Sequence, residues 1–188
     1  MSKVKFGISN CHYAVITETQ NGITYGTPVA LPGAVSFSAD PEGETSPFYA
    51  DNIVYYQSVS NQGYSGDLEL AQISDAFAKD VLGQIEDSNG ALIESSNDVN
   101  KKFALMFQIE TDDKARRVVY YNCTAQRPSS EANTKEESIE PQTDTLNITM
   151  TARSTDQAVK AVLPLTDDNA DVYNAFFTQV YEKETASV

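Results

Sequence analysis

A mainly β fold, with one short helix lying on a sheet and a second helix near the C-terminus, is what this chain predicts. Three observations lead there. Apolar and polar residues alternate with a period of two around 67–70 and 145–151, the spacing that sends successive side chains to opposite faces of a strand, and 103–109 is a nearly all-apolar strand-length run. Asn21-Gly22, Gly26, Pro28 and Pro32-Gly33 break up the β-branched runs of the first forty residues and exclude helix there. Only 75–82 and 169–181 show helical spacing.

The clearest local signal is the stretch YSGDLELAQISDAFAKDVLG at 64–83. Leu68 and Leu70 alternate with Asp67 and Glu69, which places the two carboxylates together on the other side of a strand. Ser74 then suits a helix N-cap, and Asp75 meets the positive end of the helix dipole. Phe77 and Val81 are four apart on one face, and Gly83 accepts a left-handed conformation after the last turn. A helix over 75–82, packed on the sheet through Phe77 and Val81, follows.

Taken in order, residues 11–19 and 23–37 read as strand, turn, strand, with a tight turn at 21 and 22 because both Asn and Gly accept positive φ. Residues 40–52, DPEGETSPFYADN, form a long loop or extended hairpin carrying four acids. Its Phe48 and Tyr49 either fold back onto the core or dock on a partner, since long loops tend to be functional. The run FALMFQI at 103–109 is apolar on both phases and reads as a central strand covered on both faces. Asp112 to Lys114 make a turn, and 116–124 form its partner strand. Residues 126–143 are polar, aperiodic and bounded by proline, an extended arm. In 145–151, Leu146, Ile148 and Met150 oppose a hydroxylic face of Thr145, Asn147, Thr149 and Thr151. A strand over 157–163 ends at Pro164. The last helix, about 169–181, carries Val172, Phe176 and Val180 four apart.

Composition narrows the function. The 188 residues suffice for one domain spanning the chain, and no apolar run approaches the roughly 20 residues that cross a bilayer. No secretory signal is recognisable, so synthesis in a cytoplasm is expected, with Cys11 and Cys123 as free buried thiols and the sequons at Asn122 and Asn147 as coincidence. Twenty-seven acids against 13 bases give a net charge of −14, and no lysine or arginine lies between Lys5 and Lys79. Nucleic-acid binders neutralise phosphates with cations, so this balance opposes a grip on DNA or RNA. Lys114, Arg116, Arg117 and Arg127 are the one basic concentration, too small to change that reading.

Catalytic chemistry finds no support. The sole histidine, His12, sits in an apolar run with no base or nucleophile motif around it. Asp167, Asn169 and Asp171 look like the start of a calcium loop, but Val172 stands where glycine is needed and Thr178 where the bidentate glutamate is needed. No enzyme, cofactor or metal is expected.

Several passages resemble one family. YAVITE, TYGTPVALPGA followed by DPEGE, FYADNIVYY, NQGYSGDLELA leading into DAFAKDVLG, YNCTAQRPS and TKEESIEPQTDTLNIT resemble the major tail proteins of long, non-contractile-tailed bacteriophages; the residues after Met150 match less distinctively. The resemblance implies a β-sandwich or half-barrel flanked by a helix, assembling as six-fold rings stacked into a tail tube through which DNA passes without specific binding. It also implies a place in the virion tail, away from membranes, with tape measure, tail terminator and distal tail proteins as partners. On that basis Phe48, Tyr49, Asp51, Arg116, Arg117 and Arg127 are candidate subunit contacts. The loop acids are expected near Lys114, Arg116 or Arg117 of a neighbour. Asp67, Glu69, Thr145, Asn147 and Thr149 are candidates for the lumen or wall face. The alternative is a monomeric β-sandwich adhesin or carbohydrate- or protein-binding module that presents its tyrosines.

Overall fold

In the computed structural model, which describes residues 3–20, 22–129 and 141–183, the chain opens with β1 (Lys5–Thr19), β2 (Gly22–Tyr25), β3 (Val29–Ala30), β4 (Ala34–Phe37) and β5 (Asp40–Glu42). There follow β6 (Thr45–Ala50), β7 (Ile53–Val59), β8 (Gly63–Leu70), α1 (Asp75–Asp80), β9 (Ile85–Glu86) and β10 (Leu92–Ile93). The second half holds β11 (Phe103–Thr111), β12 (Arg116–Ala125), β13 (Asp144–Thr151), β14 (Lys160–Pro164) and α2 (Ala170–Ala175). One antiparallel sheet runs β2-β1-β11-β12-β13-β8-β4, with β14 on β12, β3 on β1 and β5 on β8. β12 is shared between neighbours: Arg116–Tyr120 pair with β14, and Asn122–Ala125 pair with β13.

Burial explains why β11 lies at the centre. Phe103, Leu105 and Phe107 enter one core with Leu68, Leu70, Leu146, Ile148 and Met150, while Ala104 and Met106 enter a second core with Val119, Tyr121, Phe176 and Val180. A strand covered on both faces can afford no polar phase, which is the pattern its sequence shows. The first core draws on β1, β8, β11, β12 and β13 together, so the sheet curls around it. Residues 29–37 cross the opening: β3 pairs with β1 and β4 with β8, and Leu31 donates to the Cys11 carbonyl at 2.8 Å. No ladder joins β4 to β1, and the barrel stays open along that seam.

α1 sits over the first core. The Ser74 hydroxyl accepts the Phe77 amide at 3.3 Å, the expected N-cap bond. Phe77 and Val81 are fully buried, and the Phe77 ring meets Tyr13 and Phe103 edge-on at 5.0 and 5.5 Å. Tyr13 also donates to Asp80 at 2.9 Å, tying the helix to β1. The helix stops at Asp80 rather than residue 82: the Val81 and Leu82 turn is closed by the Gln84 amide on the Ala78 carbonyl, with Gly83 at φ +80°.

Four expectations need correction or lie outside the description. The C-terminal helix is Ala170–Ala175, not 169–181, because the Phe176 and Thr178 amides bond back three residues, to Tyr173 and Ala175, in a tight turn. The buried side chains there are Tyr173, Phe176 and Val180, whereas Val172 points outward, so the packed face is rotated from the one that a spacing of four indicated. Of the two readings of residues 40–52, the extended hairpin holds and the loop does not: they form β5, β6 and the tip of a hairpin that continues to Val59. The first hairpin turn falls one residue early, since Gly22 already pairs with Thr19. Most of the arm placed at 126–143 lies outside the described residues.

Cys11 and Cys123 are both free and buried. Burial pushes the Cys11 thiol up to about 12 and the Cys123 thiol higher still. Neither is therefore expected to react with Ellman's reagent at pH 8 in the native protein, and both should react in guanidinium. Rapid native labelling would contradict the packing of β1 against β11 and β12.

Candidate functional site

The hairpin β6–β7 leaves its large apolar side chains exposed. Asp51 and Asn52 take φ of 52° and 61°, the left-handed pair of a two-residue hairpin turn, and Ala50 pairs with Ile53 beside them. Phe48 lies opposite Tyr56 and Tyr49 opposite Val54, with an irregularity at Tyr55. Phe48, Tyr49, Ile53, Val54, Tyr55, Tyr56 and Val59 are between 49 and 74% exposed. Among the described residues the two strands pair only with each other. An isolated two-stranded ribbon is marginal in water, and contiguous exposed apolar patches are a general feature of interaction surfaces.

A second surface is polar. On β8 and β13, Glu69 pairs in register with Thr145, Asp67 with Asn147 and Ser65 with Thr149, so these side chains share the face opposite Leu68, Leu146 and Ile148. Asn147 donates to Asp67, Ser65 donates to Glu42, and Glu69 accepts from Ser36 and Thr143 at 2.8 and 2.7 Å. The bonds from Thr143 and Ser36 hold the Glu69 carboxyl below its ordinary value, so this face keeps its negative charge. It carries no lysine or arginine on β4, β5, β8 or β13. The strands must also approach closely: a Cβ added at Gly66 would collide with the Ser38 carbonyl.

The basic residues are divided in their roles. Arg117 stacks 3.9 Å over the Tyr173 ring and 4.8 Å from Phe177, donates to the Tyr173 carbonyl and bonds Gln108 at 3.2 Å, so it fastens α2 to the sheet. Arg127 pairs with Glu94 at 3.0 Å and donates to the Ser95 carbonyl. Lys114 lies 3.5 Å from Asp167. Arg116 has no ion pair among the described residues. Within one chain, no hydrogen bond, ion pair or ring contact among the described residues joins Phe48, Tyr49 or Asp51 to these arginines.

One polar cluster that periodicity does not reveal lies at Arg153. Its side chain is 5% exposed and donates two hydrogen bonds to the Asp156 carboxylate, at 2.7 and 3.0 Å. It also reaches Glu182 at 2.7 Å and stacks 4.1 Å over Tyr121. Lys183 adds a 3.2 Å contact to Asp156. The cluster pins the chain after α2 across the second core. His12 stacks on Phe177 at 4.8 Å, a packing role on that same side. Among the described residues, no group of three or more His, Cys, Asp or Glu could hold a metal ion, and no helix is long and apolar enough to cross a membrane.

The sequence singled out Phe48, Tyr49 and Asp51 as candidates but not Tyr55, Tyr56 and Val59, which are exposed on the same hairpin. The available signal was the Asp51-Asn52 pair between two aromatic runs, which marks a hairpin tip. A family model described as phage tail tube protein matches residues 2–184. A comparison with curated proteins gives no match.

Proposed function

Because the chain belongs to the phage tail tube protein family, we propose that it is a structural subunit that self-assembles into six-fold rings stacked as the tube through which DNA leaves the virion. The observation that carries this reading is the hairpin β6–β7, with seven large apolar side chains in water and, among the described residues, no strand partner beyond itself. Docked on an adjacent subunit, that ribbon buries its aromatics, the residue types that dominate interface energetics. Phe48, Tyr49 and Asp51 act as contacts of this kind. Of the candidate cations, Arg116 is the one open to a neighbour, Arg117 and Arg127 being occupied within their own chain.

The face of Asp67, Glu69, Thr145, Asn147 and Thr149 suits the lumen. Fixed carboxylates without a cation repel phosphate, so DNA slides past without being held. The role is structural rather than catalytic, and tape measure, tail terminator and distal tail proteins are the partners it would meet along and at the ends of the tube.

Negative-stain microscopy of the purified chain tests the assignment. Rings or tubes are expected, and Phe48→Ser with Tyr55→Ser and Tyr56→Ser should leave a folded protein that no longer forms them. Dispersed wild-type particles under all assembly conditions would favour a monomeric binding module instead.

A further inference from the structure

The open seam between β1 and β4 widens into a cleft of about 580 Å³. Phe107 and Tyr120 floor it, and Phe6, Val35 and Val162 line its mouth, all three well exposed. Lys5, Arg116 and Lys160 stand around it, and no acid among the described residues lines it. In a chain of 13 bases and 27 acids, three cations at one apolar opening are a strong departure from the surface average. Lys5 and Arg116 have no ion pair among the described residues, while Lys160 rests over Tyr64 at 4.3 Å.

We infer that this cleft is the receptor for the β6–β7 hairpin of a second copy of the chain, with Asp51 at the hairpin tip meeting Arg116. The inference rests on the tube-subunit reading and adds the surface that receives the ribbon. Its basis is complementarity in both properties. The hairpin Thr45–Val59 is aromatic and carries Asp51 with no base, and Glu44 stands at its foot, while the cleft is apolar and carries three bases with no acid among the described residues. Aromatic anchors entering a pocket supply affinity, and opposite charges around it set the register and speed the encounter. Docking there also covers the free edges of β1 and β4, which otherwise invite unspecific pairing.

Site-directed cross-linking of the full chain tests this. The buried native thiols leave Asn52→Cys at the tip and Val162→Cys at the cleft as the reactive pair. Under mild oxidation, assembled material is expected to give a ladder of disulfide-linked chains that neither single variant gives. Tubes that form without that ladder, or a cross-link confined within single chains, would overturn the cleft as receptor while leaving the tube assignment intact. Wild-type chains that never assemble would instead remove the tube assignment. Should the double cysteine variant not assemble, charge reversal decides. Arg116→Glu should slow tube growth roughly tenfold or more at low salt, and adding Asp51→Arg should restore most of it. Failure of the second change to restore growth would count against the pairing.

Discussion

Phe77→Ala is expected to lower stability by about 3–5 kcal/mol, the range for emptying a fully buried aromatic site. Phe77 is the point at which α1, β1 and β11 meet, since its ring packs edge-on against both Tyr13 and Phe103. A helix of six residues has little stability of its own and is held by that packing. The loss is a large share of the total stability of an ordinary domain, and for a chain of this length it corresponds to a fall in Tm of roughly 6 to 20 °C. Guanidinium unfolding checks it: the midpoint should fall with the slope unchanged. A loss below about 1 kcal/mol would mean that the core collapses onto the vacancy without needing the helix.

Arg153→Met should cost a similar amount, about 3 kcal/mol, by a different route. The guanidinium is almost fully buried and bonds Asp156, Glu182 and the Tyr25 hydroxyl at once. Methionine fills the space above Tyr121 but leaves Asp156 with only Lys183 and the Ala158 amide, and Glu182 is more exposed and suffers less. The pH dependence separates this from a packing defect. Hydrogen bonds from Arg153 hold the Asp156 carboxyl well below the usual carboxylate range. A lowered folded-state pKa means that the stabilisation is fully present above the unfolded value of about 4 and is lost as the pH falls towards the folded value. Wild-type stability should therefore drop steeply below pH 4, and the Met variant should lack much of that acid limb. Parallel curves for the two proteins would show that Arg153 acts by filling space. Amide exchange at residues 176–183 should rise in the variant, because that segment loses its tie to the sheet.

Some of this was legible in the residues. The FALMFQI run announced a strand covered on both faces, and Phe103 to Phe107 do feed two cores. Ser74, Asp75 and Gly83 marked the ends of α1 to within two residues, because caps and dipole act over one turn of chain. The pairing of Asp67 with Asn147 and Glu69 with Thr145 follows once the two strands are adjacent. By contrast, the spacing of four in Val172, Phe176 and Val180 suggested a helix to 181, and the tight turn after Ala175 defeated it. Arg153 gave no periodic signal: Asp156 lies three residues on, but Tyr25 and Glu182 are brought to it only by the fold.

The sequence by itself determined the β class, the doubly buried central strand, the capped helix and the acidity of the face that bears Asp67 and Glu69, all properties written in periods of two or four and in local capping chemistry. Tertiary structure alone decided that the acidic segment 40–59 stands out as a wet aromatic ribbon and that Lys5, Arg116 and Lys160, far apart in the chain, surround one apolar opening. The physical reason is range. Alternation specifies which way a side chain faces on its own strand, whereas the curl of the sheet and the register across the seam specify which distant side chains it meets.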